Sequence, residues 1–116
     1  MSYVIKGNGR SIYHAGDTCV YEGMLTKTKN RSPIDVMFVP INGRDARRRT
    51  AGCIGNMTFQ EAVDLCGEIA PTLAVPGHYD MFCNNLGSPL EFKAYLEAKY
   101  PGIPCWIGEH GVPVEV

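Results

Sequence analysis

Ser11-Ile12-Tyr13-His14-Ala15-Gly16-Asp17-Thr18 decides how this chain is read. An apolar-leaning strand runs into small residues and ends in an acid. That is how a sheet strand delivers a carboxylate to its carboxyl end, where open α/β sheets place ligands. The pattern returns downstream, where Leu73-Ala74-Val75-Pro76-Gly77 leads into His78-Tyr79-Asp80. One strand ends in Asp and the other in His, each just after a glycine that lets backbone come close. Carboxylate plus imidazole is ordinary ligand chemistry for first-row metals. An Asp at a strand end also serves as a plain turn residue, so the pair is a candidate and not a signature.

The flanking sequence supplies the rest of an α/β pattern. Tyr3-Val4-Ile5-Lys6 is β-like, and Asn8-Gly9 is a strong hairpin turn signal. The chain therefore opens with a hairpin whose second strand leads to Asp17. Residues 19–33 are irregular, with a short helix starting near Tyr21, Met24 and Leu25. Ile34 to Ile41 is nearly all apolar, which predicts a central parallel strand buried on both faces. Past it, residues 42–56 read as one polar loop of about 15 residues, a length that usually marks function or disorder. Thr58-Phe59-Gln60-Glu61 is a capping box, and Phe59, Ala62, Val63, Cys66 and Ile69 follow at helical spacing. A strand over 72–76 comes next. Ser88-Pro89-Leu90-Glu91 then reads as a second capping box, opening a helix with Phe92, Tyr95, Leu96 and Lys99 on one face. The tail predicts two short strands, at Cys105–Ile107 and Val112–Val114.

The totals exclude several classes of function. With 116 residues the chain suits one domain, and its 45% hydrophobic and 20% charged residues are globular values. A net charge of −1 gives no case for nucleic acid or an anionic membrane as partner. No apolar run approaches the ~20 residues of a membrane span, and Met1–Lys6 shows no apolar core of a signal peptide. Five cysteines without a C-x-x-C pair predict reduced thiols and a cytoplasmic setting.

Gly16-Asp17-Thr18 together with Pro76-Gly77-His78-Tyr79-Asp80 resembles the C-terminal half of a metallo-β-lactamase-fold hydrolase. Pro40-Ile41-Asn42-Gly43-Arg44-Asp45, Gly55-Asn56-Met57-Thr58, Glu61-Ala62-Val63 and His78-Tyr79-Asp80-Met81-Phe82 are similar to the L-ascorbate-6-phosphate lactonase family within it. The resemblance implies half of an αββα sandwich: one mixed sheet with helices on one face. It implies a single half-domain over residues 1–116 and a divalent metal, manganese or zinc, in the intact enzyme. Asp17 then bridges two ions as a catalytic residue and metal ligand, and His78 ligates the second ion. The resemblance further implies a phosphorylated sugar-acid lactone as substrate and a place in carbohydrate metabolism.

The superfamily's H-x-H-x-D-H is absent, and His14, His78 and His110 are the only histidines. The resemblance thus implies that this piece alone binds little or no metal and hydrolyses nothing. It also implies that its sheet needs a partner, either a second copy or the missing N-terminal half.

The remaining polar residues divide by position. Arg44 follows a strand end, and its planar fork suits phosphate; with Asn42 and Asn56 it is a candidate substrate site. Most of Arg47–Arg49 reads as a solvated charge run. Asp80 either orients a metal ligand or serves the turn. His14 falls on the strand face opposite Asp17, and His110 falls in a surface turn. Two other readings stand beside the lactonase: a phosphodiesterase or nuclease of the same fold, and a non-catalytic oligomeric module.

Overall fold

A computed structural model describes residues 1–116. Strands β1 (Tyr3–Gly7) and β2 (Arg10–His14) form the expected hairpin, antiparallel with Ile5 opposite Ile12. Helix α1 (Met24–Lys29) leads to β3 (Val36–Pro40). Helix α2 (Ala46–Thr50) and helix α3 (Phe59–Ile69) precede β4 (Leu73–Gly77), and α4 (Pro89–Lys99) closes the series. The sheet is mixed, in the order β1-β2-β3-β4, with β2, β3 and β4 parallel. The three parallel strands therefore end together, at His14, Pro40 and Gly77.

Alternation along the strands separates two faces. Tyr13, Met37, Val39 and Ala74 point to the helices and are buried with Ala62, Val63, Cys66, Phe92 and Leu96 in one core. Helix α3 packs on β3, α4 on β4, and α1 on α3. The opposite face carries Tyr3, Ile5, Ile12, Phe38 and Leu73, with no helix over it; Ile5 is 62% exposed. One mixed sheet with helices on one side is the expected architecture.

Local chemistry fixes the helix ends. Thr58 accepts from the Glu61 backbone N–H, and the Glu61 carboxylate accepts from the Thr58 N–H, completing the box at α3. At α4 only half of the expected box forms. Ser88 accepts from the Glu91 N–H at 3.2 Å, and no return bond is made. Pro89 at the first position lacks the N–H that would need a partner there, and its fixed φ already suits a helix.

Three expectations are corrected. The loop over 42–56 contains α2, because Asp45 caps it by accepting from the Arg48 N–H at 2.8 Å. The tail forms no strands; Cys105 makes one parallel bridge to Ala74, and 112–114 has no β pairing. The central strand is shorter than 34–41. Its pairing covers Val36–Pro40, while Ile34 and Ile41 are buried just beyond its ends.

Candidate metal and catalytic cleft

The carboxyl ends of β2, β3 and β4 open into a cleft. One lobe, about 360 Å³, is lined by His14, Gly16, Asp17, Phe38, Val39, Pro40, Gly77, His78, Asp80, Met81 and His110. A second lobe of about 520 Å³ adjoins it, adding Trp106, Tyr79 and Glu109 while sharing Phe38, His78, Asp80 and His110. All three histidines of the chain thus face one cleft, together with two aspartates.

Backbone turns aim Asp17 and His78 at each other. Gly16 has φ +67°, and a Cβ there would run into the backbone carbonyl of Met1, so only glycine makes this turn. His78 itself sits at φ +55°, a conformation rare outside glycine and Asn, held at the end of β4. Such backbone positions cluster at functional sites. The result is His78 Nδ1 3.1 Å from Asp17 Oδ1. The two residues singled out from sequence are therefore in contact, with the imidazole mostly buried and the carboxylate 69% exposed.

His14 departs from expectation. Strand geometry ends at His14, and the turn at Gly16 brings Asp17 back to the same side, so both line the cleft. The ring stacks on Phe38 at 5.6 Å between centroids. Its Nδ1 accepts from the Gly16 N–H at 3.0 Å, which leaves the proton of the neutral ring on Nε2. His110 is fully exposed, as expected of a surface turn, yet its Nε2 stands 3.9 Å from Asp80 Oδ2 across the cleft mouth. Asp80 thus faces His110, while His78 is in contact with Asp17. His14 and His110 were missed as cleft residues because both the backbone reversal and the strandless tail lack a local signal.

The donor set fits a metal site in part. A carboxylate oxygen and an imidazole nitrogen 3.1 Å apart are spaced as two neighbouring ligands with bonds of about 2.0–2.2 Å would be. Even so, no group of three or more His, Cys, Asp or Glu is arranged to hold an ion. Catalytic zinc takes three protein ligands and structural zinc four. Asp17 and His78 are suited to contribute to a metal shared with further residues.

The three candidates for phosphate recognition lie elsewhere. Arg44 forks onto both oxygens of Glu61 at 2.5 and 2.6 Å and donates to the Asn56 carbonyl at 3.1 Å. Glu61 holds the guanidinium pKa up, and Arg44 in turn holds the Glu61 carboxyl below its ordinary value. Asn42 and Asn56 are buried and bonded to each other, Asn56 Nδ2 donating to Asn42 Oδ1 at 2.9 Å. Neither asparagine nor Arg44 lines the cleft.

The Arg47–Arg49 run is not uniformly solvated either. Arg48 is largely buried, donates to Asp45 at 2.6 Å and to the Asn42 carbonyl at 2.7 Å, and also reaches Asn85. It ties the loop after β3 to the loop after β4, which forms the cleft wall.

A mixed sheet with one helical layer, and an Asp–His pair at the carboxyl ends of its parallel strands, defines a class of metal-site α/β domains. The beta-lactamase superfamily domain model matches residues 1–79. The chain belongs to that superfamily. It is 33% identical over 97 residues to a UPF0173 metal-dependent hydrolase of Pyrococcus abyssi, covering 84% of this chain and 39% of the relative. A UPF0173 metal-dependent hydrolase of Staphylococcus epidermidis is 34% identical over 94 residues, covering 80% of this chain and 36% of that protein. The chain thus spans about two-fifths of the length of the curated relatives it matches. Among solved structures, the metallo hydrolase Igni18 of Ignicoccus hospitalis superposes with a TM-score of 0.76 at 26% identity, over 96% of this chain and 43% of that one. The metallo-beta-lactamase fold protein YhfI of Bacillus subtilis shares the fold at TM-score 0.69 and 15% identity, over 96% and 42%.

Proposed function

We propose that this chain is the C-terminal part of a metal-dependent hydrolase, one that opens a phosphorylated sugar-acid lactone in the manner of the L-ascorbate-6-phosphate lactonase family. The observation that carries the metal-dependent reading is the Asp17–His78 contact at 3.1 Å at the carboxyl ends of parallel strands. The relatives named metal-dependent hydrolases support it, and the resemblance of residues 40–45, 55–58 and 78–82 to the lactonases supports the substrate class.

When bound, a divalent metal supplies a Lewis acid that polarises a carbonyl and brings water's pKa toward neutrality. Asp17 and His78 would contribute two donors to its ligand set. His14 presents its ring at the cleft wall, stacked on Phe38, and Trp106 lies alongside. Asp80 and His110 bracket the mouth. The other ligands come from outside these residues, so the 116-residue chain alone turns over no lactone.

The apolar sheet face bearing Ile5, Ile12 and Phe38 is where the complementary sheet packs. That sheet belongs to a second copy or to an N-terminal half carrying H-x-H-x-D-H. The test is to mix the chain with a separately produced segment of a metallo-β-lactamase-fold hydrolase that carries H-x-H-x-D-H. Acid release from a phosphorylated lactone in the presence of manganese or zinc is then followed. Activity that needs both pieces and is lost in Asp17→Asn supports the reading; turnover by the chain alone, or by the mixture regardless of Asp17, refutes it.

A further inference from the structure

The loop over residues 79–87 has little burial to hold it. It follows β4 and carries Asp80, with His78 at its base. Met81, Phe82 and Leu86 are each more than half exposed. Its backbone bonds run from the Gly87 N–H to the Tyr79 carbonyl and from the Asn85 N–H to the Phe82 carbonyl, both at 2.9 Å. They close the loop on itself without attaching it to the body. Three contacts attach it. Tyr79 packs against the core. Gly87 lies so close to the chain after β3 that a Cβ would come within 2.8 Å of the Ile41 carbonyl oxygen. Arg48 donates to the Asn85 side-chain oxygen. Outside the cleft's own Asp17–His78 and Asp80–His110 pairs, that is the one side-chain bond from this loop to another element.

Arg48 is itself fixed. Its side chain is only 19% exposed. Nε donates to Asp45 Oδ2 at 2.6 Å, and Nη1 donates to the Asn42 carbonyl at 2.7 Å as well as to Asn85. Asp45 is held in turn by capping α2 through the Arg48 N–H. A guanidinium so placed is a rigid fork, and little freedom is lost when Asn85 docks on it.

His78 needs such a hold. Its φ of +55° is strained for a residue with a side chain, and such a conformation persists only where the surrounding structure over-determines it. The ladder fixes the chain before His78, with Gly77 opposite Pro40. The docked loop fixes the chain after it. Releasing the loop at Asn85 lets the backbone at His78 relax to negative φ and turns the imidazole away from Asp17.

We propose that Arg48 is a positioning residue of the cleft: by holding Asn85 it docks the loop over 79–87 and keeps the His78 imidazole on Asp17. Its consequence for metal binding rests on the metal-dependent reading of that pair. Groups that orient metal ligands from behind typically carry about 10–100-fold of metal affinity.

Asn85→Ala and Arg48→Met each cut the link in the full 116-residue chain. Asn85→Ala is the milder, since the Arg48 bonds to Asp45 and the Asn42 carbonyl survive it. Asn85→Asp keeps an acceptor for Arg48 and is the conservative variant. Arg44→Met removes a staple elsewhere and controls for lost stability. The first readout needs no metal: the imidazole nitrogen resonances of His78 at pH 7, recorded where circular dichroism shows each variant folded. Both link-cutting variants should move them toward those of a free histidine side chain. The second readout is a Mn²⁺ titration, in which both should bind about tenfold more weakly than the parent. Asn85→Asp and Arg44→Met should match the parent in both readouts. Parent-like His78 resonances or parent-like Mn²⁺ affinity in Asn85→Ala overturn the proposal, and so does the same His78 shift in Arg44→Met. A parent that binds no Mn²⁺ sinks the metal-dependent reading instead, and the His78 resonances then decide the positioning role by themselves.

Discussion

Replacing Arg44 by Met tests whether that side chain is a structural staple. The guanidinium joins the loop after β3 to the first turn of α3 through two bonds to Glu61 and one to the Asn56 carbonyl. Gly43 and Asn56 close the same loop, the Asn56 N–H donating to the Gly43 carbonyl at 2.9 Å, and Gly55 at φ +77° lies too close to Arg44 for any Cβ. The side chains of the ion pair are 38% and 31% exposed, so solvent screening limits it to about 0.5–1 kcal/mol despite its fork geometry. The bond to the Asn56 carbonyl adds about 0.5–1.5 kcal/mol. Met keeps most of the aliphatic stem, so lost packing is small.

The expected loss from Arg44→Met is thus about 1–2.5 kcal/mol, a fall in Tm of roughly 4–15 °C for a domain of this size. Arg44 holds the Glu61 pKa below its ordinary 4.5. A depressed carboxylate pKa contributes stability that is fully present above the unfolded value and is lost as pH falls through the folded one. The gap between parent and variant should therefore be full at pH 7 and shrink below about pH 4.5. Urea denaturation followed by circular dichroism at pH 7 and in acid measures both. Equal stability at pH 7, or a gap that does not narrow in acid, would refute the reasoning.

Further predictions concern the turn, the thiols and the open sheet face. Gly16→Ala should unfold or loosen the β2 end, because φ +67° and the Met1 carbonyl both oppose a Cβ; NMR should show Asp17 and His78 separating. A thiol reagent at pH 8 should modify exposed Cys83 first. Burial pushes the Cys66 thiol far up and Cys105 to about 11, so mass spectrometry should find both protected until the protein unfolds. Sedimentation at micromolar concentration should show self-association, and Ile5→Lys with Phe38→Glu should reduce it; a monomer that binds no hydrophobic dye contradicts the assignment of that face.

Much of this fold is legible because its signals are local. Asn8-Gly9, the Thr58–Glu61 box and the apolar run Ile34–Ile41 each encode an element by short-range chemistry; the first two form where expected, and the third pairs over Val36–Pro40 only. Asp17 and His78 were legible as a pair through their shared strand–glycine context. What failed depends on contacts distant in sequence. Arg44 looked free for phosphate because Glu61, its partner, lies on another element. Arg48 looked solvated because Asn85 and the Asn42 carbonyl are brought to it only by folding. Val112–Val114 has an apolar strand composition, yet Pro113 between the two valines lacks an N–H to give a ladder, and the tail's β bridge is made by Cys105 to Ala74.

The most direct test of the central claim is a titration of the isotope-labelled chain with Mn²⁺, whose unpaired electrons broaden nearby resonances. If Asp17 and His78 are donors to a shared metal site, broadening should centre on these two residues, at weak affinity, and should vanish in Asp17→Asn. Broadening centred elsewhere, or unchanged in Asp17→Asn, would contradict it.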